Sequence, residues 1–320
     1  MTQDPELGHQ GFARILLMSQ LCLLIALLSS CSTKNGSHWY GALGLGSDRI
    51  YLSGSYANSN NYAISVYDTT GKLLGILADY GANVEFPRGL AFLDPFRLIV
   101  SVDGTDRLDV VDIFGNISTF ASNALLSGNL FDVRRDSSGN IYVAESNTIE
   151  RFNSSGARYP VTGNPYINTT TGSCVLSTVH GLAITSQGYL AAVSSGGSDN
   201  LSIYDVSDTS ASCLYNVAFG QDPYDVVAHS NGKLYVVTQL NDSIYTVNED
   251  GTGATQIYAY GVTTINPTAI AVLPNGNLLV ANAGLDSIDL FAEDGTLLQS
   301  GFIRNTFSAD VSDILVVEGQ

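Results

Sequence analysis

Three aspartates, Asp132, Asp225 and Asp313, share one local frame: Phe131-Asp132-Val133, Tyr224-Asp225-Val226 and Ser312-Asp313-Ile314. Three further segments keep the frame but carry the smallest side chains in its middle: Arg88-Gly89-Leu90, His180-Gly181-Leu182 and Thr268-Ala269-Ile270. In chain order the middle position therefore alternates Gly, Asp, Gly, Asp, Ala, Asp. Converging carboxylates suit a hard cation such as Ca2+, which takes oxygen ligands. They equally accept hydrogen bonds from a sugar or a basic side chain, with Phe131 and Tyr224 as flat apolar surfaces beside them. A solvated, partly hydrogen-bonded ring of residues that holds no ligand is the third arrangement these residue types allow.

The frame recurs because the chain repeats. From Leu90 to Val133, Leu182, Val226, Ile270 and Ile314 the steps are 43, 49, 44, 44 and 44 residues. Each copy carries short apolar runs with period-2 alternation, separated by turn clusters such as Pro274-Asn275-Gly276 and Glu293-Asp294-Gly295. Second runs read DRIYLSG, RLIVSV, NIYVAE, YLAAVS, KLYVVT and NLLVAN, which makes six copies. A period in the forties with four strands per copy predicts an all-β fold, a six-bladed β-propeller of four-stranded antiparallel blades over residues 48–320. The first copy begins at its second strand and the sixth inner strand lies at 310–318. The C-terminal strand is therefore expected to pair with Ile50-Tyr51-Leu52 and close the ring, leaving neither end as a free edge.

The repeat resembles NHL-type and related YVTN-type propeller repeats. The resemblance rests on Pro87…Gly89-Leu90-Ala91, on Gly139-Asn140-Ile141-Tyr142-Val143-Ala144 and on Ser287-Ile288-Asp289-Leu290-Phe291…Gly295. It implies that the innermost strands surround a central channel whose mouth is lined by Arg88, Phe131, His180, Tyr224, Thr268 and Ser312. Asp132, Asp225 and Asp313 then form a second ring, and Glu145 and Asn282, at the ends of second strands, lie just behind the mouth. Lyase-type metal sites in such propellers need several histidines, whereas His180 is the one ring histidine and His229 falls in a turn expected to be exposed. Gluconolactonase-like propellers use Glu, Asn and Asp ligands, so Glu145, Asn282, Asp225, Asp132 and Asp313 are the metal candidates, with Ca2+ in the channel as the ion they suit. No cofactor is required by the residues present.

The N-terminus carries an address. Apolar runs 15–18 and 21–28 form a segment too short to span a bilayer, which suits the core of a secretory signal over residues 1–30. Leu28-Ser29-Ser30-Cys31 resembles the bacterial lipobox, which implies a diacylglycerol thioether on Cys31 and cleavage before it. Residues 31–47 then hold the lipidated cysteine and a flexible tether, with small polar residues at 32–37. Ser32 is not the Asp of inner-membrane retention, so the outer membrane is expected, with the leaflet open.

Composition narrows the partners. A net charge of −17 opposes nucleic acid and an anionic membrane face. Only 13% of residues are charged, and 17 Tyr and 32 Gly fit a polar β surface of the kind that meets sugars or proteins. Cys174 and Cys213 remain once the N-terminal cysteines are set aside, both in outer-strand positions of successive repeats, and a disulfide is expected. Asp103-x-x-Asp106-x-x-Asp109 lacks the alternate spacing and terminal Glu of a calcium loop, and no G-x-S-x-G elbow, CxxC or phosphate loop occurs. The insertion at 164–177 is a second candidate contact surface. The expected function is a membrane-anchored envelope lipoprotein whose propeller binds a protein or glycan without catalysis. The rivals are a calcium-dependent lactonase- or lyase-like enzyme at the channel mouth, and a spacer that has lost its ligand.

Overall fold

A computed structural model describes residues 47–318, excepting 57–60, 83–84, 160–164, 263 and 305. The expected signal segment, Cys31 and the tether to residue 46 lie outside the described residues. From the axis outward, blade one runs Phe307–Val317, Arg49–Tyr56, Tyr62–Tyr67 and Leu73–Gly81. Blade two runs Phe86–Asp94, Arg97–Asp103, Arg107–Asp112 and Ile117–Ala121. Blade three has Leu130–Arg135, Ile141–Glu145 and Thr148–Phe152. Blade four follows with Thr178–Ile184, Leu190–Ser195, Asn200–Asp205 and Ser212–Ala218. Blade five has Pro223–His229, Lys233–Thr238, Ser243–Asn248 and Thr255–Ala259, and blade six Pro267–Val272, Leu278–Asn282, Ser287–Phe291 and Leu297–Arg304.

All pairings are antiparallel, and the closure is as the repeat count predicts. Leu52 faces Ile314, Tyr51 faces Leu315 and Ile50 faces Val316. Each inner strand packs on the next, and Phe307–Val317 packs on both Pro267–Val272 and Phe86–Asp94. In blade three the described residues of the outermost position form two bridges, Ile149 with Ile167 and Phe152 with Arg158. The insertion that follows forms a small hairpin, Thr170–Thr171 with Cys174–Val175.

The core is divided among the six blade interfaces rather than gathered in one place. Period-2 alternation sends Tyr51 into the cluster shared with blade two, while Ile50 and Leu52 enter the cluster shared with blade six. The second strands are covered on both faces, which is why Ile141–Glu145 and Leu190–Ser195 are buried at every residue and read as continuous apolar runs. Burying one such Val, Leu or Ile side chain contributes about 1.5–3 kcal/mol. Turn glycines lock neighbouring blades together. Gly115, at φ 80°, would place a Cβ 2.0 Å from the Leu77 carbonyl oxygen in blade one, and Gly295, at φ 89°, one 2.5 Å from that of Ile257 in blade five. Only glycine combines that backbone conformation with so close an approach.

Candidate ligand site at the channel mouth

The site begins with an irregularity that every inner strand shares. Register slips occur at Pro87/Leu90, Leu130/Val133, Val179/Gly181, Pro223/Asp225 and Pro267/Ala269, and between Asp313 and Val311 in the last strand. Each is a β-bulge, which leaves a residue out of the ladder and re-aims its side chain. The residues carried at these bulges include Arg88, Phe131, His180, Tyr224, Thr268 and Ser312. The expected ring is therefore built by backbone geometry.

The bulges also explain the alternation of Asp with Gly and Ala. Six backbone amides near the axis are served by six carboxylate oxygens. Asp132 accepts from Val133 N at 2.6 Å and from Leu182 N of blade four at 2.7 Å. Asp225 accepts from Val226 N and from Ile270 N of blade six, both at 2.8 Å. Asp313 accepts from Ile314 N and from Leu90 N of blade two, both at 2.7 Å. Each aspartate thus caps its own strand and the next, so one is needed in every second blade. The intervening blades must be small to admit it. A Cβ on Gly89 would stand 2.4 Å from Val133 N and 2.6 Å from Asp132 Cα, and one on Gly181 would stand 2.5 Å from Asp225 Oδ1.

A residue absent from the expected site completes this layer. Arg134, in blade three, donates to Asp313 Oδ2 at 2.9 Å and Oδ1 at 3.2 Å, and its Nη1 lies 2.6 Å from Asp132 Oδ1. It also donates to the carbonyl oxygens of Leu90 and Leu182, both at 3.1 Å. Burial works against its charge, but Asp132 and Asp313 outweigh burial and its pKa is raised. Burial lifts Asp132 well above the carboxylate range against the pull of Arg134, helped by repulsion from Asp313 and Asp225. Asp225 is pushed up to about 7 by burial, with Arg134 opposing and Asp313 adding to the rise.

Above this floor lies a recess of about 460 Å³, open mouth included, lined by all six bulge residues together with Asp132, Asp225 and Asp313. Four of the bulge residues form a contiguous arc. The Arg88 guanidinium lies 5.9 Å from the Phe131 ring centre and 3.3 Å from Asp103. Phe131 meets His180 edge to face at 4.6 Å, and His180 stacks on Tyr224 at 4.3 Å. His180 Nε2 is 3.0 Å from Ser195 Oγ, and its buried Nδ1 has no partner among the described residues. Burial, then the charge of Arg88, lowers the His180 pKa to about 4, so the imidazole is neutral at pH 7.

The metal candidates are not gathered into one ligand set. Glu145 accepts from Ser127 N at 2.6 Å and pins the loop before blade three. Asn282 is buried within blade six and donates to Asp289 at 2.8 Å. Neither lines the recess. Among the described residues no group of three or more His, Cys, Asp or Glu side chains is arranged to hold a metal ion. Asp132, Asp225 and Asp313 direct their oxygens at backbone amides, and a cation bound to Asp132 and Asp313 would have to displace the Arg134 guanidinium. His229, expected to be exposed, is buried, with Nε2 donating to the Gly276 carbonyl at 3.0 Å and Nδ1 accepting from Asn231 N. Asp103 pairs with Arg88, whereas Asp109 is buried against Arg107. The expected disulfide is present: Cys174 of the insertion hairpin is bonded to Cys213 on the outer strand of blade four.

No protein-family model matches the chain, nor does any curated protein sequence. Solved structures do. A chain of a nidogen/laminin complex superposes with a TM-score of 0.63 at 12% identity, over 85% of this chain and 99% of that one. A Bacteroides caccae protein of unknown function gives 0.59 at 15% identity, over 85% and 99%. Catalytically inactive virginiamycin B lyase from Staphylococcus aureus, solved with quinupristin, gives 0.58 at 12% identity, over 85% and 96%. With its six blades and its closure by the last strand, the chain has the β-propeller fold that these proteins share.

Proposed function

We propose that this protein is a lipid-anchored component of the bacterial envelope, held at the outer membrane through Cys31, whose propeller binds a protein or glycan partner at the channel mouth without catalysis. The observation that carries the binding reading is the division of labour between the two rings. The bulge residues Arg88, Phe131, His180 and Tyr224 line an open recess in fixed mutual contact, so little side-chain freedom is lost on binding. The groups that chemistry would call on are engaged in structure: the carboxylates hold backbone amides, and the one ring histidine is neutral beside Ser195. Anchoring rests on Leu28-Ser29-Ser30-Cys31. Of the structurally similar chains, one comes from a nidogen/laminin complex and another is a lyase solved with quinupristin. The first supports partner binding, and the second keeps the lyase alternative as an outcome of the test.

The test is capture from detergent-solubilised envelopes, comparing wild type with the double variant Arg88→Ala/Tyr224→Ala at the recess. A partner enriched by wild type and lost with the variant supports the reading. Equal capture by both, or turnover of a lactone or streptogramin substrate, overturns it. Cys31→Ser should move the protein from the membrane to the soluble fraction.

A further inference from the structure

The geometry points to a saccharide-binding groove between blades three and four, opening beside the recess. It is lined by Asn129, Phe131, Ser146, Asn147, Ser177 and Thr178 and is open to solvent, with about 600 Å³ of space over these residues, open solvent included. The inference rests on the binding reading and names the ligand class.

Charge comes first. A chain with 30 acidic residues presents none of them here, and no base either, so an ionic ligand finds no counter-charge. The hydrogen-bonding groups fall into two sets. Ser146 Oγ accepts from Asn129 N at 3.2 Å, and Ser177 Oγ donates to the Ser195 carbonyl, so these hydroxyls shape the walls. The side chains of Asn129, Asn147 and Thr178 have no hydrogen-bond partner among the described residues. Each carboxamide offers both donors and an acceptor, and the hydroxyl offers both roles. That capacity matches the adjacent hydroxyls of a sugar ring, each of which also donates and accepts.

Phe131 supplies the apolar half of the match. It lines both the groove and the recess, so a chain of sugar units lying in the groove reaches the recess by passing over its ring. An aromatic ring covers the apolar C–H face of a pyranose with little conformational loss. A protein ligand would instead draw affinity from apolar or charged anchors sunk in pockets.

The groove is also preorganised. Ser146, at φ 51°, turns Asn147 to the tip between two strands. Ser146 N donates to the Asn129 carbonyl at 2.8 Å, and Val179 N donates to the Ser146 carbonyl at 2.7 Å, which ties both walls together. Glu145 holds the 127–129 loop from below, and Gly128 lets that loop approach Ser146 where a Cβ would come within 2.5 Å of its Oγ.

The experiment is saturation-transfer NMR on the full chain in a detergent without a sugar headgroup. The probes are chitotetraose, cellotetraose and maltotetraose, with tetragalacturonate as the anionic control. Transfer to a neutral probe is expected, with Kd raised about tenfold by Phe131→Ala and also by Asn147→Ala, and little changed by Phe131→Tyr. Asn147 is exposed in a turn, so its variant should melt with wild type. No transfer to any neutral probe, transfer to tetragalacturonate alone, or binding indifferent to both alanine variants overturns the proposal. If an envelope protein is still captured through Arg88 and Tyr224 while no saccharide binds, the groove assignment fails and the binding reading stands.

Discussion

Arg134 donates to both carboxylate oxygens of Asp313, at 2.9 and 3.2 Å, across 179 residues of sequence. The pair joins blade three to the strand that closes the ring. It lies in the layer where three carboxylates cap the bulges of six inner strands. A propeller whose cores sit only between adjacent blades lacks a shared centre, and this layer supplies one.

Replacing Arg134 by Met should therefore cost more than a surface change of equal size. The variant leaves Asp132 and Asp313 buried without their cation, a situation that costs about 3–5 kcal/mol. Arg134→Lys should recover only part of this, because an ammonium cannot span Asp132, Asp313 and two carbonyls at once. Urea denaturation of the three proteins measures the differences. A loss below about 1 kcal/mol for Arg134→Met would show that the layer does not hold the ring together.

Gly89→Ala should be severe although it adds a single methyl group. The new Cβ meets backbone atoms of Val133 and Asp132, which cannot turn aside as a side-chain end could. Overpacking of this kind costs about 1–3 kcal/mol or more, and here it also presses on the Asp132 cap. Ala269→Gly, at the equivalent position of blade six, should by contrast cost only about 1 kcal/mol through chain entropy and a lost methyl. Thermal melting of both variants decides the point, and equal losses would refute the packing account of the alternation.

The mouth ring was legible in the sequence because it follows the period: once Leu90, Val133 and their counterparts are aligned, the residue two places earlier in each copy is a lining residue. The task of the carboxylates was not legible, because it depends on bulges, and a bulge leaves no mark in an alternating pattern. Arg134 did leave a mark. The equivalent positions are Ala91, Ala183, Val227, Ala271 and Leu315, so an arginine there stands alone among small or apolar residues. A lone charge at a repeat's core position calls for a buried partner, and Asp132 and Asp313 were already in view. His229 misled for a different reason: a turn residue is exposed only if no neighbouring blade leans on it, and the turn of blade six does.

The pH profile should separate two buried groups of opposite sign. Asp225 holds its proton up to about 7, so the folded chain binds a proton that the unfolded chain has released. Its contribution grows as pH falls from about 7 towards the ordinary carboxylate range near 4, and is lost as pH rises through 7. His180 runs the other way. With its pKa lowered to about 4, it stays neutral where the unfolded chain takes up a proton below about 6.5, so stability is lost as pH falls. Arg134 and Asp313 act on the first group, and Arg88 on the second. Relative to wild type, Asp225→Asn should lose stability between about pH 7 and 5, and His180→Phe should gain it, each by up to about 1.4 kcal/mol per unit. Melting temperatures across that range test both, and profiles parallel to wild type would show that neither group is held in its shifted state.

The Cys174–Cys213 bond should matter more to the insertion than to the ring. It closes a span of 39 residues that contains the inner, second and third strands of blade four, so reduction frees entropy in the unfolded chain worth about 2–4 kcal/mol. In the folded state Cys174 is buried and joins Tyr166, Ile167 and Leu176 in the cluster between blades three and four. Those contacts cover the outer side of blade three, where the described residues form no fourth strand. A Cys174→Ser/Cys213→Ser variant should therefore lower the denaturation midpoint, and amide exchange should quicken first in residues 165–177. The inner strands, tied by the aspartate layer, should keep their protection. Uniform loss of protection across all six blades would mean that the insertion and the ring unfold as one unit.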